Sequence, residues 1–523
     1  ICKRNFGSKQ ESYFSAIGGE SDEPPPDLKP QQVTAILRRN EKSIYKTVRG
    51  VKLIECNQLA SNHPVEDRLR VSKLHLNNTN AYRSKCFKDE SETLMLSVFD
   101  GHGGGAVADI ICRRLFHYVA LSLSSNPSAI VNKRIENTVE DLFLCPQINN
   151  DSAFVYDPRS LEKIKIVLGA AETEWLSKYA EDLHKNPVND VQDALRRAFI
   201  RCDEDLSQEV ERSLTKKITS NILLHYYLSV AVSGCCVTLM LIHKDKCYIA
   251  SSGDCRAVMG YVTIDKETQK PCIKHVALSN DHNSDNLNEI KRLYASHPAN
   301  EHNNIIRNNR LLGQLMPFRA FGDFCYKWSA EKMKNVGLTR AFGPHVIPPY
   351  YHTPPYLIVE PEIKELPLND DDQNEKSDKF ILLATDGLWE QFESDRSVVK
   401  SVIKHKHKFA KNQEYAENQK QYAFKEGTTM EEILDVLRVK ARPQKADFND
   451  SLNIDVEEDF DLNCCTHLIR TALSANPAPN EPHIDEQELR RQRHQRLVTF
   501  LTLPESVVRS FRDDISLILT HFN

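Results

Sequence analysis

Four acids stand at the ends of apolar runs, and carboxylates at strand ends can supply metal ligands or acid-base groups. In LMLSVFDGHGGG, Leu94 to Gly105, a strand-length apolar run ends in Asp100, Gly101, His102 and three more glycines. KFILLATDGLWE repeats the device, with Ile381 to Ala384 running into Asp386-Gly387. Asp254 follows the run CYIASSG, and Asp513 precedes the run ISLIL. The end of one antiparallel strand lies beside the start of its neighbour, so three acids that follow their strands and one that precedes its own can meet at one edge. Clustered carboxylates repel and raise one another's pKa unless cations neutralise them, and oxygen-only ligands favour Mg²⁺ or Mn²⁺ over zinc. Gly101 has no side chain to shield its carbonyl from a ligand. The chain holds 73 acidic residues, so strand-end acids also arise by accident, and the pattern alone leaves both readings open.

The elements that must position these groups follow from periodicity. AVADIICRRLFHYVALSL, after Gly105, has helical spacing, as does Val188 to Leu214, whose Val191, Leu195, Ala198, Phe199, Cys202 and Leu206 form one stripe expected to pack on a sheet. Val237 to Val262 holds three apolar runs separated by Lys244-Asp245 and Gly253-Asp254, the pattern of an antiparallel meander. PQQVTAILRRN reads as a short helix with Val33, Ile36 and Leu37 on one face. Glu66 and Asp67, adjacent after a proline, read as a solvated turn on pattern alone. Arg310 to Trp328 is irregular, and Ile347 to Glu362 is extended by its prolines.

Composition narrows the function classes. Of 523 residues 40% are hydrophobic and 27% charged, with a net charge of -5, which describes a globular chain and argues against nucleic acid as a partner. No apolar run approaches the ~18 residues of a membrane span, so an integral membrane protein is not expected. Fourteen scattered cysteines, including Cys235-Cys236 and Cys464-Cys465, suit no disulfide framework and predict a reducing compartment. Residues 1 to 29 are expected to be a disordered tail or a transit-peptide remnant, because Lys3, Arg4 and Lys9 precede the first acid, Glu11, and Ser21 to Gln32 is proline-rich. Residues 30 to 523 are expected to form one domain with insertions near 121–190 and 391–462.

VFDGHGG, SGDCRAVMG, LMPFRAFGDF, LLATDGLWE and RDDISLIL occur in the order of the motifs of the metal-dependent (type 2C) serine/threonine protein phosphatases, and the chain resembles that family from about Pro30 onward. The resemblance implies an α+β fold, a central antiparallel β-sandwich flanked by helices in four layers (α-β-β-α), with two Mg²⁺ or Mn²⁺ ions at one end. It makes Asp100 the bridging carboxylate, puts the Gly101 carbonyl on the first ion and Asp386 and Asp513 on the second, and gives Glu66 and Asp67 the task of holding metal-bound water. His102 becomes the general acid, and Asp254 a ligand of a weaker third ion, whose usual partner acid is here Glu390. The position where many members carry a phosphate-gripping arginine holds Asn62. NDHNSDNLNEIKRLYASHPANE and IPPYYHTPPYLIVEPE resemble a mitochondrial-matrix branch that dephosphorylates the pyruvate dehydrogenase α subunit. For that branch the resemblance implies docking on a lipoyl domain of the acetyltransferase core, strengthened by Ca²⁺, and a regulatory subunit.

Two other readings compete. CCTHLIR, Cys464 to Arg470, spaces a cysteine and an arginine as cysteine-dependent phosphatases do, but it lacks a glycine-rich phosphate cradle and reads as a helix. A non-catalytic scaffold would be expected to lose its metal carboxylates, and Asp100, Asp386 and Asp513 are all present. The basic run ELRRQRHQR, Glu488 to Arg496, follows the acids Asp485 and Glu486 and begins with Glu488, and reads as a solvated helix rather than a nucleic-acid patch.

Overall fold

Alternation along the last strand sets the architecture. In Ile515–Phe522, Ile518 belongs to the apolar core that also holds Val98, Val237 and Ile249, whereas Leu517 and Leu519 belong to the one that holds Val398, Leu468 and Leu497. Successive side chains of a strand point to opposite faces, so this strand needs cover on both sides. A second sheet covers one face and a layer of helices the other. The computed structural model describes residues 28–522 apart from 46–47, 49, 77–92, 133–134, 136–137, 146–157, 217–219, 369–375, 412–460 and 475–484.

The first sheet runs β1 (Lys42–Tyr45), β2 (Val51–Leu59), β15 (Ile515–Phe522), β14 (Lys376–Ala384), β8 (Arg256–Ile264), β9 (Pro271–Ala277), with every neighbour antiparallel. The second runs β13 (Glu362–Pro367), β7 (Lys246–Ser252), β6 (Gly234–His243), β4 (Thr93–His102), β3 (Arg68–Leu74), β5 (Val139–Cys145), also antiparallel, with the two-residue β12 (Phe321–Gly322) added to β6. A separate ribbon joins β10 (Ile306–Arg307) to β11 (Arg310–Leu311). The first sheet is backed by α1 (Pro30–Leu37), α6 (Asp395–Lys411), α7 (Cys464–Ser474) and α8 (Glu486–Leu501), and the second by α2 (Ala106–Leu123), α3 (Pro158–Lys185), α4 (Val191–Thr215) and α5 (Asn221–Val232). This is the four-layer α-β-β-α sandwich. Each fully buried Leu, Ile or Phe between its layers contributes about 1.5–3 kcal/mol.

Leu195, Ala198, Phe199, Cys202 and Leu206 of the expected stripe of α4 are buried and Val191 is half-buried, and Asp190 caps the helix by accepting the N–H of Asp193 at 2.8 Å, a contact that contributes about 1 kcal/mol. The stripe meets α2 more than the sheet: Arg114 pairs with Glu209 at 2.7 Å, and the Tyr118 hydroxyl donates to Asp205 at 2.8 Å. The expected meander breaks at its second turn. β6 and β7 form a hairpin, but at Gly253-Asp254 the chain crosses from the second sheet to the first, so β7 and β8 never pair. An apolar run has the same pattern whether its partner lies beside it or in the facing sheet, so alternation could not reveal the crossing. Residues 139–145, within the stretch expected as an insertion, form the edge strand β5. The N-terminal stretch to residue 27 and most of the charged stretch between 400 and 462 lie outside the described residues. No described helix is long and apolar enough to cross a membrane. The described cysteines carry free thiols, all but Cys272 buried.

Candidate active site

β4 continues past its apolar run, placing Asp100 opposite Cys236 and Gly101 opposite Cys235 on β6. Asp100 therefore lies inside the last paired residues of the strand rather than after them. The loop before β3 crosses directly over this point: a Cβ at Gly101 would stand 2.3 Å from the Glu66 carbonyl oxygen, so only glycine fits. That loop is tied down by Asp514, whose carboxylate accepts the N–H groups of Ser61, Asn62 and Glu66 and the Asn62 side-chain amide. Glu66 in turn accepts the Gly104 N–H at 2.8 Å, joining the loop to the turn that opens α2. Asp67 is buried and accepts the Thr385 hydroxyl at 2.9 Å. Asp386 follows Thr385 directly, and Asp513 and Asp514 lead into β15, the neighbour of β14.

The two sheets thus deliver acids to one edge: Glu66, Asp67 and Asp100 from the second, Asp386 and Asp513 from the first, with Asp254 at the crossing between them. Burial pushes the Asp100 carboxyl well above the usual carboxylate range, and Asp386, Asp67, Asp254 and Asp513 push it further. Asp386 is raised well above its ordinary value by burial and then by Asp254, Asp513 and Glu390. Burial followed by Asp514 and Asp513 does the same to Asp67. Asp254, Asp513 and Glu66 are all raised, chiefly by burial. Such a group is costly without cations and well disposed to hold them. All its donors are oxygens, as Mg²⁺ and Mn²⁺ prefer. Among the described residues no three His, Cys, Asp or Glu side chains form a metal-holding group by themselves. An ion here would need the Gly101 carbonyl and water to complete its shell, and Mg²⁺ usually keeps several waters.

Beside the acids, His102 Nε2 lies 2.6 Å from Asp323 Oδ2. Burial lowers the imidazole pKa, but Asp323 more than offsets this and holds it above its ordinary value. Asp323 has a buried side chain and a left-handed backbone, φ +49°, fixed by its N–H donating to the Ser233 carbonyl at 2.8 Å. A pattern search that stops at strand-end acids misses Asp323, Thr385 and Arg509. For Asp323 the signal was available in RAFGDF, since a Gly-Asp pair in an aromatic, non-periodic segment marks a tight corner.

Against known proteins, residues 164–431 match the family Protein phosphatase 2C. The chain is 33% identical over 509 residues, 95% of its length and 83% of the relative's, to the mitochondrial [pyruvate dehydrogenase [acetyl-transferring]]-phosphatase 1 of Rattus norvegicus. The chain belongs to the protein phosphatase 2C family. It is 31% identical to the human mitochondrial phosphatase 2 of the same name, over 95% of this chain and 84% of that one. It is also 25% identical to a protein phosphatase 2C homolog of Schizosaccharomyces pombe, over 94% and 85%. As a protein phosphatase 2C the chain is a metal-dependent serine/threonine phosphoprotein phosphatase that uses Mg²⁺ or Mn²⁺. The matched stretch contains Asp254, Asp323 and Asp386, while Glu66, Asp67, Asp100 and Asp513 lie outside it. Cys464 of this protein phosphatase 2C is a buried residue of α7, its thiol pKa raised well above the ordinary value by burial, and Arg470 pairs with Asp461 at 2.8 Å. That segment is helix packing and not a phosphate cradle.

Proposed function

We propose that residues 30–523 act as one catalytic domain in which the gathered acids hold two divalent cations. Asp100 would be a ligand shared by both, the Gly101 carbonyl would be a ligand of the first, and Asp386 and Asp513 would be ligands of the second. Glu66 and Asp67 hold and orient water, and Asp254 belongs to a weaker third position, where Glu390 replaces the shorter acid of other members. When bound, the cations supply a water acidic enough to act as nucleophile near neutral pH and neutralise the phosphoryl oxygens. The reaction is a single displacement: the water oxygen attacks phosphorus, the bond from phosphorus to the seryl oxygen breaks, and that oxygen takes a proton from His102. With Nε2 held by Asp323, Nδ1 is the nitrogen left to carry the proton, and the Asp323 carboxylate stabilises the charged ring. The observation that carries this reading is the meeting of Asp67, Asp100, Asp386 and Asp513 beside the His102–Asp323 pair.

The substrate reading rests on the mitochondrial pyruvate dehydrogenase phosphatases that match along most of their length. Phosphoserine on the pyruvate dehydrogenase α subunit, in the mitochondrial matrix, is the proposed target. The resemblance further supports docking on a lipoyl domain of the acetyltransferase core, strengthened by Ca²⁺, and a regulatory subunit. Phosphate release from phosphorylated pyruvate dehydrogenase, compared with unrelated phosphoproteins, with Mg²⁺ and after chelation, tests the proposal. Adding the intact core should raise the rate on the dehydrogenase but not on a free phosphopeptide. Equal rates on both, with and without the core, would refute the substrate assignment.

A further inference from the structure

A phosphate dianion approaching Glu66, Asp67, Asp100, Asp386 and Asp513 meets like charge from the chain, so a cationic side chain at the lip of the site would favour its capture. Arg509 is placed there. It follows the short helix Glu505–Val508, its side chain is 45% exposed, and its Nη1 lies 3.2 Å from Glu66 Oε2 and 3.1 Å from Asp513 Oδ1. Its Nε and Nη2 make no hydrogen bond among the described residues. Other guanidinium groups near the acids are committed elsewhere. Arg68 is buried on Asp109 and the Val65 and Asp67 carbonyls. Arg512 is buried on Ser61 Oγ and the Ala60 carbonyl. Arg256 bridges Asp281 and Asp395. Asn62 is uncharged and donates its amide to Asp514 at 3.0 Å.

We infer that Arg509 grips the substrate phosphate. Nη1 anchors the guanidinium on Glu66 and Asp513, and Nε and Nη2 donate to two non-bridging phosphoryl oxygens, the planar fork that suits phosphate. The inference builds on the phosphatase reading of the same site and adds the residue that recognises the anion.

The test compares the parent with Arg509→Gln, Arg509→Lys and Arg509→Gln carrying Asn62→Arg. Calorimetry with inorganic phosphate in Mg²⁺, a separate Mg²⁺ titration, thermal unfolding, and steady-state kinetics on a phosphoserine peptide are the readouts. Arg509→Gln should weaken inorganic phosphate and raise KM on the order of 10- to 100-fold, the effect of losing hydrogen bonds to a charged group. Arg509→Lys should fall between, since it keeps charge without the fork. Mg²⁺ binding should hold or tighten, because a competing cation has left Glu66 and Asp513. Recovery of phosphate binding in the double variant would support the role. Unchanged phosphate affinity in Arg509→Gln, or loss of Mg²⁺ binding together with thermal stability, would overturn it. A parent that binds inorganic phosphate through Arg509 but releases none from any phosphoprotein sinks the phosphatase reading and leaves anion recognition standing.

Discussion

Replacing Asp323 with Asn keeps the size of the side chain and a hydrogen bond to His102 but removes the charge. The contact is short, 2.6 Å, with Asp323 almost fully buried, so solvent cannot replace what is lost. The neighbourhood allows no rearrangement either. A Cβ on Gly234 would stand 2.1 Å from Asp323 Oδ2 and 2.3 Å from His102 Nε2, so the pair fills the room that glycine leaves. A hydrogen bond involving a charged group contributes about 1.5–3 kcal/mol, which sets the expected loss in kcat at roughly 10- to 150-fold. The loss should depend on the leaving group. A seryl oxygen needs the proton that His102 delivers, whereas nitrophenolate departs without one. Steady-state kinetics of Asp323→Asn on a phosphoserine peptide and on p-nitrophenyl phosphate, at saturating Mg²⁺, give the two ratios, and thermal unfolding checks that the fold is intact. Equal losses on both substrates, or none on the peptide, would refute the role assigned to the pair.

Asp100→Asn should be nearly inactive and should lose Mg²⁺ binding by calorimetry; a folded variant with near-parental turnover at saturating metal would sink the two-cation proposal. Cys464→Ser should keep its turnover, because the residue is buried helix packing with no role in the proposed chemistry; loss of rate without loss of folding would revive a cysteine mechanism. Burial, then the neighbouring His405 ring, depress the His467 pKa to about 4. An unfolded imidazole titrates near ~6.5, so below that pH the unfolded chain takes up a proton that the folded one refuses. The stability is whole above about 6.5 and falls by up to about 3 kcal/mol as pH drops toward 4. Urea midpoints at neutral and mildly acidic pH should differ less in His467→Gln than in the parent, and an equal acid-induced drop in both would count against it.

Asp100, Asp386 and Asp513 were legible because each abuts a long buried strand, and the strand and its breaking residue are the strongest signals a sequence holds. Helix α2 was read to its last residue for a similar reason, since glycines mark its start and an unbroken helical stripe follows. Glu66 and Asp67 looked like a solvated turn on pattern. What brings them inward is Asp514, some 450 positions away, and no local periodicity encodes a contact of that span. Asp323 and Arg509 escaped for a different reason: one sits at a left-handed corner and the other after a single helical turn, where there is no period to read. The sheet crossing at Gly253-Asp254 was invisible because pairing partners are a property of topology rather than of alternation.

The central place of β15 bears on the order in which the chain can fold as it is made. β15 lies between β2 and β14, so those two strands, separated by more than 300 positions, cannot become neighbours through it until residues 515–522 have emerged. Until then the first sheet is two partial sheets with open edges, the kind of surface that recruits other chains. The second sheet has no such debt: its strands all lie before residue 368 and can pair early. Asp513 arrives with the strand that closes the gap, so the step that completes the first sheet also completes the acid set. A chain stopped short of β15 would lack both the seam of its fold and a proposed metal ligand, and would be expected to aggregate rather than persist as a weak enzyme.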